Sequence, residues 1–166
     1  MHEEFTRTIG LIGSEAFEKL QKAHVCVFGC GGVGSYVLEA LARSGVGRIT
    51  VVDHDVVDRS NLNRQLIALQ STVGQPKVQA AKARIADINP NCLVDAKQMF
   101  YDEEHCFPLA FDYIADAIDS VPAKLFLIEQ ANASGVPIIS AMGTGNKLDP
   151  SKLQVCLLYT SDAADE

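Results

Sequence analysis

Ala23-His-Val-Cys-Val-Phe28, followed at once by Gly29-Cys-Gly-Gly-Val-Gly34, decides the fold of this chain. The first stretch is a compact apolar run that stops at glycine, the pattern of a strand buried on both faces. The second fits G-x-G-x-x-G. Behind it Val33, Val37, Ala40 and Leu41 recur at helical spacing, and Gly45 ends that helix. Strand, glycine loop and helix in this order form a phosphate cradle. Glycines permit the tight turn and let phosphate approach the main chain, and the helix N-terminus offers free N–H groups with partial positive charge. Ile49-Thr-Val-Val-Asp53 reads as a second strand, rich in β-branched residues. Its terminal Asp53 stands roughly twenty residues beyond the loop, where a carboxylate accepts both ribose hydroxyls of a nucleotide.

The same alternation runs outward from this unit. Arg7 to Gln21 reads as a helical lead-in. Pro76 opens a helix whose Val78, Ala81, Ile85 and Ile88 form one apolar face, and Asn89-Pro90 stops it. Cys92 to Ala96 and Tyr113 to Ile118 read as a third and a fourth strand. Ser120 is placed to cap a further helix, with Pro122 in its first turn and Val121, Leu125 and Ile128 facing inward. Gly135 closes that helix, and Val136-Pro-Ile-Ile-Ser140 is a fifth strand, with Pro137 suiting an outer position. Strands alternating with helices predict a single Rossmann-like α/β domain with a mostly parallel sheet and right-handed crossovers.

The chain has 166 residues, 48% of them hydrophobic and 21% charged, and a formal net charge of −7. That length holds a full core without disulfides or metals. The acidic balance, with no Lys/Arg run, means that any nucleic-acid partner is held by a local patch or by sequence outside this chain. Five cysteines include no CxxC, so no structural zinc site is expected. No secretory segment or long apolar run appears, and the cytoplasm is the expected compartment. Residues 156–166, from Cys156 through Asp162, Asp165 and Glu166, resemble the conceptual translation of a sequencing adapter. The expected division is therefore a nucleotide-binding domain over 1–155, cut off before its C-terminal part, and a non-native tail over 156–166.

Glycine loop and Asp53 by themselves suit NAD. The next segments point elsewhere. Ser60-Asn-Leu-Asn-Arg-Gln65 and Gly74-Gln-Pro-Lys77 bring Arg64 and Lys77 to the loop side of the sheet, and phosphoryl or adenylyl transfer needs cations there. Asp119, at the end of the fourth strand, lies at the carboxyl edge where α/β ligands bind, and one carboxylate with phosphate oxygens suits Mg²⁺. Singly, Arg64 or Lys77 is a solvated charge, Asp55 a turn former and Asp119 a helix-cap carboxylate. Together, in this order, they form a site. Cys26 reads as core packing and Cys30 as a small loop residue, although a helix N-terminus can activate a thiol. His54 reads as an exposed turn histidine, and Met142-Gly-Thr-Gly145 as a tight turn or the rim of a substrate mouth.

These motifs are recognisable in combination. Gly29-x-Gly-Gly-x-Gly34, Asp53-x-Asp55, Ser60-Asn-Leu-Asn-Arg-Gln65, Gly74-x-Pro-Lys77 and Asp116-Ala-Ile-Asp-Ser120 resemble the ubiquitin-activating-type adenylating superfamily. Within it, Ala40-Leu-Ala-Arg-Ser-Gly-Val-Gly47, Ile88-Asn-Pro90, Asp116-Ala-Ile-Asp-Ser-Val121 and Met142-Gly-Thr-Gly-Asn-Lys-Leu-Asp-Pro150 are similar to the bacterial tRNA threonylcarbamoyladenosine dehydratases. The resemblance implies that Gly29, Gly31, Gly32 and Gly34 line the phosphates of ATP. It implies that Asp53 and Asp55 belong to the nucleotide site, that Asn61, Arg64 and Lys77 contact the triphosphate, and that Asp119 ligates Mg²⁺. Arg7 resembles an arginine that reaches across a homodimer to the partner's ATP. The implied reaction is adenylation of a carboxylate in modified tRNA, followed by ring closure with release of AMP and pyrophosphate. Sulfur-transfer proteins are further partners of some such enzymes. The rival readings are an activator of a ubiquitin-like sulfur carrier, an NAD-dependent oxidoreductase and a non-catalytic nucleotide-binding module.

Overall fold

The computed structural model describes residues 3–143, 145 and 148–157. Five parallel strands form one sheet: β1 (His24–Phe28), β2 (Arg48–Val52), β3 (Leu93–Lys97), β4 (Tyr113–Asp116) and β5 (Ile138–Ser140). Their order is β3-β2-β1-β4-β5, so the chain runs outward from β1 through β2 and β3, then crosses to the other side of β1. The reversal lies between β1 and β4, and their carboxyl ends border a crevice where ligands of such sheets bind. Among the described residues β5 is the outermost strand on its side, a position that suits Pro137 just ahead of it, and the Pro137 carbonyl accepts from Ile114 N–H at 2.9 Å.

Alternation along β1 divides the core in two. Val25 and Val27 point to one face and pack with Ile49, Val51, Leu38, Ala42, Val78, Ala81 and Ile85. These come from β2 and from helices α3 (Gly34–Ser44) and α4 (Lys77–Ile88). Cys26 and Phe28 point to the other face, with Ile114, Leu127, Ala131, Tyr101 and Leu109. Helix α5 (Val121–Ala133) covers only part of that face. The segment between β3 and β4 folds under the rest, and Tyr101 and Phe107 set their rings 4.8 and 6.1 Å from Phe28. Aromatic burial of this kind supplies the area that a second crossover helix would otherwise bury.

Helix rotations differ from expectation in two places. In α5 the buried positions are Ala123, Lys124, Leu127 and Ala131, whereas Val121 and Leu125 are exposed. Apolar residues occupy nearly every position of Val121-Pro-Ala-Lys-Leu-Phe-Leu-Ile128, so periodicity could not select a face. A buried ion pair of Lys124 turns the helix instead, as described below. In α3 Val37 and Leu41 pack against the core as expected, but the fully buried positions are Gly34, Ser35, Leu38 and Ala42, and Val33 and Ala40 face out. Only small residues fit where α3 begins, because Gly34 lies against the backbone of Gly29. The lead-in is two helices, α1 (Thr6–Ile12) and α2 (Ser14–Lys22), broken at Gly13 with φ of 82°. Residue 144, residues 146–147 and residues 158–166 lie outside the described residues, and with them part of the Met142–Pro150 stretch and most of the expected non-native tail. No helix among the described residues is long and apolar enough to cross a membrane.

A Cβ on Gly34 would run into the carbonyl of Gly29, so the backbone itself must give way. Gly34→Ala is expected to cost about 1–3 kcal/mol, the range for overpacking a tight interior. A denaturant midpoint within error of the unaltered chain would show that the loop opens without cost.

Candidate functional site

Gly29 leaves β1 still bonded to its neighbour, with its N–H donating to Val52 O at 2.8 Å. It then turns with φ of 89°, in the left-handed region that side chains disfavour. A Cβ there would sit 2.6 Å from the carbonyl oxygen of Ala117, in the turn after β4. The two carboxyl-end turns at the switch point thus touch through backbone. Cys30 N–H donates to Asp53 Oδ2 at 2.6 Å, which ties the loop to the end of β2. The N–H groups of Gly31, Gly32 and Val33 find no acceptor among the described residues. They lie where α3 begins, so three unpaired donors and a helix N-terminus share one spot.

Asp53, Asp55 and Lys77 converge beneath the loop. The second carboxylate oxygen of Asp53 accepts from Asp55 N–H at 2.8 Å. The chain then makes an excursion over residues 56–76 that closes on itself. Val57 N–H donates to Gln75 O at 2.8 Å, and Lys77 N–H to Asp55 O at 2.9 Å. That closure puts the buried Lys77 ammonium 2.7 Å from the half-exposed Asp55 carboxylate. Asp53, His54 and Asp55 bring ligand atoms within 4.8 Å of one another, the one such group among the described residues. Charge compensation by Lys77 and two backbone N–H donors account for this acidic group without a metal.

Asn61 and Arg64 sit on the excursion. Asp58 and Asn61 form a reciprocal cap over the turn Arg59–Asn61, in which Asp58 N–H donates to Asn61 Oδ1 at 3.0 Å. The Asn61 amide nitrogen reaches only Ser60 Oγ, at 3.5 Å. The stem of Arg64 lies over Gly32, with Cγ 3.7 Å from a Cβ built there. Its exposed guanidinium donates to Ser60 O at 2.9 Å and to Asn63 Oδ1 at 3.0 Å. Gln65, for which no role was expected, is buried beside Gly31, and its Oε1 lacks a hydrogen-bond partner among the described residues.

Asp119 is exposed and lies three residues beyond the end of β4, not at the strand end. It has no hydrogen bond or ion pair among the described residues. Its Cα is within roughly 7 Å of Ala117 Cα by chain reach, and Ala117 touches Gly29. The strand instead ends in Asp116, whose fully buried carboxylate pairs with Lys124 Nζ at 2.7 Å. Ser120 occupies the N-cap position of α5 without a side-chain cap bond. Neither Asp116 nor Lys124 had a role in the sequence reading. A lysine inside an apolar helical run eight residues after an aspartate was the available signal.

Arg7 is not brought to this site by its own chain. It is exposed on α1, and neighbouring Phe5 packs on Phe17 and Gly45 at the amino end of the sheet, opposite the glycine loop. The thiols beside the loop, Cys26 and Cys30, are buried. Burial, and then the charge of Asp53, push the Cys30 thiol well above its ordinary pKa, and burial pushes Cys26 up too. Helix N-terminal activation of Cys30 is therefore overruled by desolvation.

The model of the ThiF family matches residues 5–153. Bacillus subtilis tRNA threonylcarbamoyladenosine dehydratase is 52% identical over 158 residues, which cover 93% of this chain and 62% of that protein. The Escherichia coli protein of the same name is 39% identical over 156 residues, covering 92% and 58%. A crystal structure of the E. coli dehydratase in complex with ATP superposes with a TM-score of 0.90 at 38% identity, covering 96% of this chain and 67% of that one. The chain thus spans about three fifths of the length of these two curated relatives.

Buried and exposed thiols give a direct readout of the loop. Cys106 and Cys156 are expected to react with a thiol reagent at mildly alkaline pH in the native chain, and Cys26, Cys30 and Cys92 only after unfolding. Fast native labelling of Cys30 would mean that the loop does not hold this buried conformation.

Proposed function

Because this chain belongs to the ThiF family, we propose that it binds ATP at the glycine loop and adenylates a carboxylate, that of threonylcarbamoyladenosine in tRNA. The observation that carries this reading is the set of unpaired N–H groups at Gly31, Gly32 and Val33, bordered by Arg64 and Lys77 at the switch point. Such donors complement an anion, and two cations nearby suit a triphosphate better than a hydride acceptor. ATP in the related crystal structure supports the same ligand.

Each group then has a task. Gly29, Gly31, Gly32 and Gly34 let the phosphates approach the main chain. Asp53 accepts from the ribose with the lone pairs that its backbone donors leave free. Lys77 keeps one donor on Asp55 and turns others to phosphate, and Asp55 holds it in place. The Asn61 amide nitrogen, barely engaged, contacts the triphosphate. Arg64 exchanges its two local acceptors for phosphate oxygens. Asp119 fits Mg²⁺, being an exposed carboxylate without a partner among the described residues, one short loop from Gly29. Asp119 would hold the ion, which would supply charge withdrawal at the phosphate oxygens.

A carboxylate cannot expel oxide. Attack of its oxygen on the α-phosphorus breaks the bond to pyrophosphate and leaves an acyl-adenylate, whose leaving group is AMP. No base is needed, since the carboxylate is ionised near neutral pH. A nucleophile of the same modified side chain then closes the ring and expels AMP, and intramolecular geometry makes this step fast. A homodimer supplies Arg7 from a second copy, since its own chain holds it at the far end of the sheet. Sulfur-transfer proteins are further partners of the whole protein.

Calorimetric titration with ATP and NAD tests the ligand. ATP binding without NAD binding is expected, and tight NAD binding without ATP would remove the proposal. In pyrophosphate exchange by the full-length protein, Asp119→Ala is expected to abolish turnover with the fold intact. Arg64→Ala should lower kcat by about 10²–10³ if it stabilises developing charge. A rise in KM at unchanged kcat would make Arg64 a plain binding group.

A further inference from the structure

Lys124 is a lysine on the inward face of a helix, 6% exposed, against a sheet strand. Its three donors are all used: Asp116 Oδ2 at 2.7 Å, Ala141 O at 3.0 Å and Ser140 Oγ at 3.2 Å. The Ser140 hydroxyl in turn donates to Asp116 Oδ2. A buried pair of this kind is often no more stable than an apolar pair of equal volume, so stability by itself does not account for it.

What the network does is geometric. The other oxygen of Asp116 accepts from Ile118 N–H at 2.9 Å and so shapes the turn that leads to Asp119. Asp116 O accepts from Ala141 N–H at 2.8 Å, and Ala117 N–H donates to Phe28 O at 2.8 Å. The end of β4, the first turns of α5 and the end of β5 are therefore clamped around one carboxylate. The clamped turn presses the Ala117 carbonyl against Gly29. With every Lys124 donor satisfied inside the protein, the lysine has none left for a ligand.

We infer that Asp116, Lys124 and Ser140 are a positioning network that holds the turn bearing Asp119 over the glycine loop, so that its carboxylate meets a divalent cation carried by a bound nucleotide. This rests on the nucleotide reading above. Its consequence is specific: the network governs how much a divalent cation strengthens nucleotide binding, and not nucleotide binding as such.

The test measures ATP affinity with Mg²⁺ and with EDTA, alongside thermal unfolding. The double variant Asp116→Asn/Lys124→Met removes both buried charges together and so avoids an orphaned one. It is expected to keep Mg²⁺-free affinity within about twofold while the Mg²⁺ enhancement falls about tenfold. An unchanged enhancement in a folded variant overturns the network and leaves the nucleotide reading standing. Equal losses with and without Mg²⁺ also overturn it, since the effect is then general. An unaltered chain whose ATP binding Mg²⁺ does not strengthen overturns the network alone, and one that binds no ATP overturns both. Should the double variant fail to fold, Ser140→Ala decides the matter through amide exchange. Faster exchange at Ile118 and Asp119, by about tenfold, with β1 amides unchanged, supports the clamp, and unchanged exchange at these two overturns it.

Discussion

Backbone contact without side-chain clearance, at Gly29, Gly34 and Ala117, is the constraint on which the rest of the structure depends. Gly34 starts α3 directly against the Gly29 carbonyl, and Gly29 meets the Ala117 carbonyl across the switch point. One Cβ at either glycine would push the helix off the loop or the loop off the β4 turn. Where the main chain comes so close, the N–H groups of Gly31, Gly32 and Val33 have no acceptor among the described residues, while the helix behind them adds its partial charge. The ligand chemistry of the site is thus a by-product of packing.

Charge around that loop is arranged in pairs at different depths. Lys77 is buried and Asp55 half-exposed, so this pair meets solvent on one side only. Asp116 and Lys124 are both buried. Arg64 is open to solvent and bonded to its own turn. Depth determines what each cation can do. A guanidinium on the surface re-aims at little cost, an ammonium at the margin shares its donors, and a fully enclosed ammonium holds backbone. Acidic side chains near the loop follow the same rule. Asp53 has each oxygen fixed by one main-chain donor, whereas Asp119, on an exposed turn, has no partner among the described residues.

The two sheet faces are finished differently. Over β1 and β2 one face carries α3 and α4, whose apolar stripes were visible as residue spacing. On the other face the segment between β3 and β4 supplies Tyr101, Phe107 and Leu109 to Phe28 and Ile114 without regular structure. No periodicity marks those residues, because an irregular segment buries side chains singly. The rotation of α5 was illegible for the opposite reason: too many apolar positions compete, and the choice falls to a polar contact.

From residue order alone one could read the strand–glycine loop–helix unit, the alternating elements, the parallel sheet with Pro137 at its edge, and the grouping of Asp53, Arg64 and Lys77 on the loop side. Those are local matters, set by periodicity, by glycine at sterically closed positions and by proline's missing donor. Only the tertiary structure decided that Asp116 rather than Asp119 ends β4. It alone put Lys124 on the inward face of α5, sent Arg7 to the far end of the sheet and buried Cys30. Each of these turns on which groups lie next to each other across many residues of chain, and on how much water is excluded between them. Burial and long-range pairing are properties of the packed whole, and no short window of sequence contains them.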